Sequence, residues 1–419
     1  MLVKTILNRC HKFKSFVYGD VKFVENKNSC GSIEVELSPR KNSKAVCSIC
    51  LYPASIYDTS KTPRRFEFIP VWGFNVYLVY FMRRVNCRQC GVKTEDVPWA
   101  KGKSQLTKVY MQFLASWCKS LSWSEVASRF NTSWDKVFRS LEYIVNWGLA
   151  HRSLEGITAI GVDEVSWKKG HKYLTLVYQI NKGCIRLLWI NKDRNQESFS
   201  KFFDYLGQER CKLIEYVCSD MWKAYLRVIK DRIGHAIHVL DRFHIVANLN
   251  KALDKVRAEE HKQMKLDGYD PLLTNSRWTL LKNPENLTDK QSLKLKDLLN
   301  YNLKSVRGYL LKEQFQQLWS YVYPANAGKF IDAWTTQVMK SKIEPLKKQA
   351  KTIRKHKHLI LNYFKAKKEF SSGIVEGLNT KVKLTVRKSY GFKQYKTTKI
   401  ALYHSLGKLP EPPLTHRFY

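Results

Sequence analysis

The chain is short of acids. Its 419 residues carry 36 Asp and Glu against 73 Lys and Arg, a formal charge of +37 and a pI near 9.8. Solubility alone does not require such a surplus, so the expected partner is a polyanion. Long hydrophobic runs are also missing. The longest, Val71 to Met82, has 12 residues and is broken by Gly73 and Asn75. A spanning helix needs about 20, which excludes an integral membrane protein; with no basic amphipathic helix at either end, a membrane-surface partner has no support, and no membrane partner is expected. The first residues lack the apolar core and small-residue cleavage site of a secretory signal, so a reducing, cytoplasmic setting is expected. No internal repeat or low-complexity tract is visible. What is present is a chain able to bury cores, with 44% hydrophobic and 13% aromatic residues, not a disordered basic tail. At about 100–200 residues per domain, two to four domains are expected.

The charge is unevenly spread. Residues 340–399 hold 18 Lys and Arg and three acids (Glu344, Glu369, Glu376), a surplus of +15. Residues 1–110 hold a surplus of +11, and residues 157–243 only +5. Two basic ends flank a nearly balanced middle, the pattern of a core that gathers carboxylates between anion-binding arms.

Residues 1–100 read as short strands and turns, with Ser32–Leu37, Arg65–Ile69 and Val76–Phe81 rich in β-formers. Residues 156–250 alternate strand and helix. Three strands joined by short turns (157–165, 173–180, 184–190) precede a helix from Gln196, a strand at 214–218, a helix after Met221, a strand at 236–240 and a helix from Phe243. This is the ribonuclease-H order of elements in a mixed sheet. Residues 250–370 are helical and Lys-rich, with polar breaks near Gly268–Pro271 and Asn283–Asp289. The fold class is therefore α/β: a ribonuclease-H-like mixed sheet with a long α-helical insertion, preceded by a zinc-binding β-rich module and a helix-turn-helix. The domain boundaries expected are 1–100, 101–152, 153–250 with 368–400, 251–367 as the insertion, and a tail at 401–419.

Cys47-Ser-Ile-Cys50 and Cys87-Arg-Gln-Cys90 form a CxxC–CxxC set across a 36-residue insert. Each knuckle offers two thiolates from one tight turn, and four close a tetrahedral structural zinc site. Ser122-Trp-Ser-Glu125 is a capping box opening a short helix to Phe130. It is preceded by a helix from Gln105 and followed, after Asn131-Thr132, by a helix capped by Ser133 and running from Trp134 to about Asn146. In helix-turn-helix geometry the last helix would offer Trp134, Lys136 and Arg139 to a groove or to phosphates; an ordinary three-helix packing unit has the same pattern.

Three acids stand where strands end: Asp163, Asp220 and Asp241. In a ribonuclease-H-like sheet the first and fourth strands are neighbours, putting Asp163 and Asp220 about 5 Å apart. Such a pair can clamp two divalent ions, and Mg²⁺ favours carboxylate and phosphate oxygens. The fifth strand lies one spacing further, so Asp241 is a poor ligand in that order. The third ligand must come from later in the chain, and Glu376 is the best placed. It opens a helix after Gly373 amid Lys381, Lys383, Arg387 and Lys388. On that helix Asn379 and Lys383 follow at i+3 and i+7 and could grip the strand beside a scissile phosphate. Lys168, Lys169 and His171, in the hairpin beyond Asp163, are either phosphate contacts or a solvated turn.

In their order, the cysteine pairs, the helix-turn-helix, Gly161-Val-Asp163-Glu164, Ser219-Asp220-Met-Trp-Lys-Ala-Tyr225, Asp241-Arg-Phe-His244 and Val375-Glu376-Gly-Leu-Asn379 resemble the DDE transposases of bacterial insertion sequences, specifically the ISL3 family. The resemblance covers nearly the whole chain. It implies that Asp163, Asp220 and Glu376 are a catalytic triad holding two Mg²⁺ or Mn²⁺ ions, and that Asp241 and His244 support them. It implies binding of terminal inverted repeats, cleavage, joining of 3′ ends to target DNA, a homodimer or larger synaptic assembly, and a nucleoid-associated location. Two other readings stand beside it: a DNA-binding regulator with an inactive ribonuclease-H-like domain, and another ribonuclease-H-type nuclease. Whatever the specificity, the charge predicts counterion release: the logarithm of the DNA association constant should fall linearly with that of salt, by about 0.9 per phosphate neutralised. Filter binding or anisotropy across a salt series measures this slope.

Overall fold

The computed structural model describes residues 3–26, 29–168, 172–269, 272–368, 372–388 and 392–413. They divide into two compact units: Met1–Ser153 with Leu384–Tyr419, and Leu154–Lys383.

The first unit opens with a short helix, α1 (Val3–Cys10), which the sequence pattern does not announce. Strands β1 (Phe16–Asn26), β2 (Ser29–Pro39), β4 (Arg64–Val71) and β5 (Phe74–Tyr80) make a four-stranded sheet, order β1-β2-β5-β4. Alternation sets the buried face: Ile33, Val35 and Leu37 of β2 point inward between the more accessible Glu34 and Glu36. Trp99 closes this core against the rings of Phe13, Phe16, Phe66 and Tyr80. Each such side chain, fully buried, contributes roughly 1.5–3 kcal/mol. A second, three-stranded sheet of β3 (Ser55–Thr59), β6 (Arg83–Cys87) and β7 (Gly91–Thr94), order β3-β6-β7, carries the second cysteine pair. Arg83 and Glu95 form a buried ion pair beside it, with Tyr80 donating to the same carboxylate.

Helices α2 (Lys108–Trp117), α3 (Trp123–Arg129) and α4 (Trp134–His151) follow. The capping box at Ser122 and Glu125 forms, and Ser133 caps α4. The first of these helices starts three residues later than its apolar pattern suggests. Gln105 and Thr107 instead bond the backbone of Glu67 on β4, and the Thr107 side chain caps Tyr110. The last helix runs to His151, past the Asn146 expected. At the far end of the chain α16 (Tyr395–Leu406) packs on α4, burying Ile400, Ala401, Leu402 and Tyr403. Residues 401–413 thus lie in the first unit, held further by Glu411 on Lys119 and Gln112, where the sequence suggested a separate tail.

The second unit holds a five-stranded mixed sheet: β8 (Ala159–Lys168), β9 (Lys172–Asn181), β10 (Cys184–Lys192), β11 (Tyr216–Ser219) and β12 (Ile237–Leu240), order β10-β9-β8-β11-β12. The β9–β10 hairpin turns at Gly183, whose φ of +85° suits glycine. The first strand of this sheet pairs in parallel with the fourth, as the order of elements requires. Helices α5 (Gln196–Leu206), α6 (Gln208–Lys212) and α7 (Lys223–Ile233) accompany the crossovers. Phe199, Phe202, Tyr225 and Val228 pack with Ile160, Val162 and Val177 of the sheet.

After β12 come α8 (Arg242–Leu266), α9 (Arg277–Leu281), α10 (Asp289–Leu298), α11 (Lys304–Gln316), α12 (Pro324–Lys340), α13 (Glu344–Lys355) and α14 (Lys357–Lys365). Breaks fall at Gly268 and at Asn283–Thr288, close to where polar residues interrupt the pattern. Helix α15 (Ser372–Lys388) then returns to the sheet. Its Val375 seats on Gly161, where a Cβ would lie 2.6 Å from Val375 Cγ2. Gly161→Ala should therefore destabilise the protein by about 1–3 kcal/mol through overpacking, read as a lowered thermal midpoint; an unchanged midpoint would refute this seating.

Candidate active site and cysteine centre

Strand register brings the acids together. Cys218 of β11 pairs with Gly161 of β8, and Ser219 pairs with Leu240 of β12. Extending both parallel registers to the strand ends sets Asp163, Asp220 and Asp241 abreast on three adjacent strands. Asp163 accepts hydrogen bonds on both oxygens, from the Glu164 backbone N–H at 2.7 Å and from Asn379 Nδ2 at 2.5 Å. Asn379 Oδ1 in turn accepts from the buried Tyr178 hydroxyl at 2.8 Å. Since an ionised carboxylate only accepts, the amide turns its NH₂ to Asp163 and leaves Oδ1 to accept from the tyrosine. Asp220 Oδ1 accepts from Trp222 N at 2.9 Å, and Asp241 caps α8 through Phe243 N at 2.7 Å, with His244 Nε2 at 3.7 Å from its other oxygen.

Burial raises the Asp163 carboxyl above its ordinary range; the Glu164 N–H and the nearby His244 oppose this, while Asp241 and Asp220 add to it. Burial also pushes Glu164 up to about 7, with Asp220 adding and Arg194 opposing. Glu164 lies on the other face of β8 from Asp163, and its Oε1 is 2.6 Å from Arg194 Nε. Its Oε2 is buried with no hydrogen-bond partner among the described residues. On β12, His238 is buried against Ser219 of β11 at 2.7 Å, and its pKa falls to about 4 through that burial.

Helix α15 sorts its residues by face. Val375, Leu378, Asn379 and Val382 point inward, while Glu376, Thr380, Lys383 and Arg387 are exposed along the flanking side. Asn379 is only 7% exposed, so it does not share the outward face with Lys383 that the sequence suggested for a DNA grip. Its amide is committed to Asp163 and Tyr178, which makes it a positioning residue. Among the described residues, only the cysteine centre brings three or more potential metal-ligand atoms all within 4.8 Å of one another; Asp163, Asp220 and Glu376 are more widely spaced.

At that centre the Sγ atoms of Cys47, Cys50, Cys87 and Cys90 lie within 4.8 Å of one another, with Cys50 and Cys87 3.5 Å apart. Leu51 and Gly91, each directly after a knuckle, both take positive φ (61° and 71°), so the two turns have one geometry. Backbone N–H groups of Gln89 and Cys90 bring the Cys87 thiol down to about 7, and those of Cys50 and Ile49 lower Cys47. Burial and the neighbouring sulfurs raise Cys50 and push Cys90 up to about 12; four convergent sulfurs, two of them with thiolate-stabilising amides, fit a tetrahedral zinc ion.

The remaining residues singled out from sequence are scattered. Lys136 is ion-paired with Glu67, Arg139 with Asp135 at 2.8 Å, and Trp134, 43% exposed, stacks on Phe138. Lys169, His171 and the side chain of Lys168 lie outside the described residues. Sequence reasoning missed the pairing of Glu164 with Arg194 and the Tyr178–Asn379 link. Only the inward phase of Asn379 had a signal, its helical spacing from Val375 and Val382.

Residues 160–402 match the family model of ISL3-type DDE proteins, described as transposase. The chain is 29% identical over 335 residues to the transposase for insertion sequence element IS1001 of Bordetella parapertussis, covering 79% of this chain and 82% of that one. It is 28% identical over 410 residues to the transposase for insertion sequence element IS1557 of Mycobacterium tuberculosis, covering 91% and 90%. With its acids abreast at the strand ends and more than half its length matched, the chain belongs to the ISL3 family of DDE transposases.

Proposed function

We propose that this protein binds the terminal inverted repeats of an insertion sequence, cleaves phosphodiester bonds at its ends and joins the 3′ ends to target DNA. The observation that carries this reading is the parallel register setting Asp163 beside Asp220, with Asn379 tying the helix of Glu376 to Asp163. In this reading the five-stranded sheet is ribonuclease-H-like, residues 251–367 are an insertion in it, and α3–α4 are a helix-turn-helix.

The donor set suits a hard divalent cation. Asp163, Asp220 and Glu376 are all carboxylates, the donor type such ions prefer. Those three residues would hold two Mg²⁺ or Mn²⁺ ions, which supply activation of the attacking oxygen and charge stabilisation of the leaving 3′ oxygen. Asn379 and the Glu164 N–H fix Asp163 in one orientation, and the Trp222 N–H fixes Asp220. Glu376, exposed on α15 one turn before Asn379, would complete the set from the helix that Asn379 ties to Asp163. Lys383 and Arg387, on the same outward face, meet the phosphates. Asp241 holds the start of α8 and keeps His244 by the cluster. The four cysteines would hold structural zinc. An element has two ends, so the working form is a homodimer or a larger synaptic assembly. No described helix is long and apolar enough to cross a membrane, and the site of action is the nucleoid.

A labelled terminal repeat tests the activity. Asp163→Asn, Asp220→Asn and Glu376→Gln should each lower Mg²⁺-dependent cleavage by more than about 100-fold, with repeat binding kept within about threefold. A non-catalytic regulator would keep its function in all three; a branch-cutting nuclease would cleave without joining ends. Absence of product from the unaltered protein across several salt concentrations would sink the catalytic reading. Elemental analysis should find one zinc per chain, lost in Cys87→Ser together with a lowered thermal midpoint; a zinc-free native protein would count against the structural ion.

A further inference from the structure

Arg194 is held in place before it meets any ligand. The preceding Asp193 takes a φ of 69°, and two hydrogen bonds anchor it to β9: its N–H donates to the Tyr173 carbonyl at 3.0 Å, and its carbonyl accepts from the Thr175 hydroxyl at 2.7 Å. The following Asn195 caps α5. The guanidinium lies 4.5 Å from the Trp222 ring centroid, and it is the Trp222 backbone N–H that fixes Asp220 Oδ1. It contacts two carboxylates unequally. The Glu164 contact is a close ion pair, 2.6 Å from Nε to Oε1 without hydrogen-bond alignment, while the NH2 atom stands 3.6 Å from Asp220 Oδ2. The longer distance is an ion pair without a hydrogen bond, so that oxygen keeps its lone pairs for another cation. Three acids abreast and a fourth on the opposite face would repel one another without a nearby positive charge.

We infer that Arg194 is the resident counter-ion of this cluster: anchored on Glu164, it balances Asp220 until a divalent cation takes that oxygen, and its released N–H groups then bind a DNA phosphate. A planar guanidinium stacked on an aromatic ring suits that second task. The inference rests on the reading of Asp220 as a metal ligand.

The test is direct Mn²⁺ binding to the full-length protein without DNA, by calorimetry, together with cleavage of the terminal repeat at saturating metal. Removing a cation that competes for Asp220 should tighten Mn²⁺ binding at least about fivefold in Arg194→Ala and Arg194→Gln, while cleavage falls at least about tenfold. Opposite movement of the two readouts is the signature, because a merely loosened site would weaken both. Arg194→Lys keeps the charge and should hold Mn²⁺ affinity within about twofold of the native value. Arg194→Gln retains a planar group over Trp222 and serves should the alanine variant not fold. Unchanged or weaker Mn²⁺ binding in Arg194→Gln overturns the inference. Asp220→Asn separates the two levels: if it leaves Mn²⁺ binding intact, the reading of Asp220 itself fails, whatever Arg194 does.

Discussion

Parallel pairing of β8 with β11 is the constraint on which the site depends. It fixes Asp163 and Asp220 at one level although 56 residues separate them along the chain. A slip of one residue would turn every side chain of one strand to the opposite face and part the two carboxylates. The register is held by apolar neighbours, Ile160 and Val162 on one strand and Val217 on the other, all buried against α5 and α7. Packing on one face of the sheet thereby sets the chemistry available at its ends.

Grouping carboxylates is costly, and the structure meets that cost locally. Asp163 receives two N–H donors, Asp220 one and Asp241 one, while Arg194 faces Glu164 and Asp220 and His244 faces Asp241. Most of these partners come from the same short segments as the acids. Asn379 is the exception: it arrives from α15, 216 residues after Asp163, so the site and the docking of that helix form together.

Much of this was legible in the sequence because it is written in periodicity. Strands with alternating or continuous apolar residues, and helices opened by Ser122 or Ser133, fall close to where pattern and capping put them. The errors have physical causes. Backbone bonds from Gln105 and Thr107 to β4 delay α2, an interaction between distant segments that no local pattern records. Asn379 is polar and stands four residues before the exposed Lys383, yet it shares the helical phase of Val375 and Val382, and burial is tolerable because both ends of its amide are satisfied. The Glu164–Arg194 pair joins residues 30 apart through a loop whose geometry rests on the positive φ of Asp193, which leaves no compositional trace.

The first unit is assembled from both ends of the chain, with α16 packed on α4 and Glu411 bonded to Lys119 and Gln112. During synthesis its amino-terminal part must wait while the 230 residues of Leu154–Lys383 are made, roughly 10–50 s at bacterial to eukaryotic elongation rates. Over that interval the face of α4 that later receives α16 has no cover. The second unit, continuous in sequence, has no such delay. The order of translation therefore places the completed sheet, with its acids, ahead of the completed first unit.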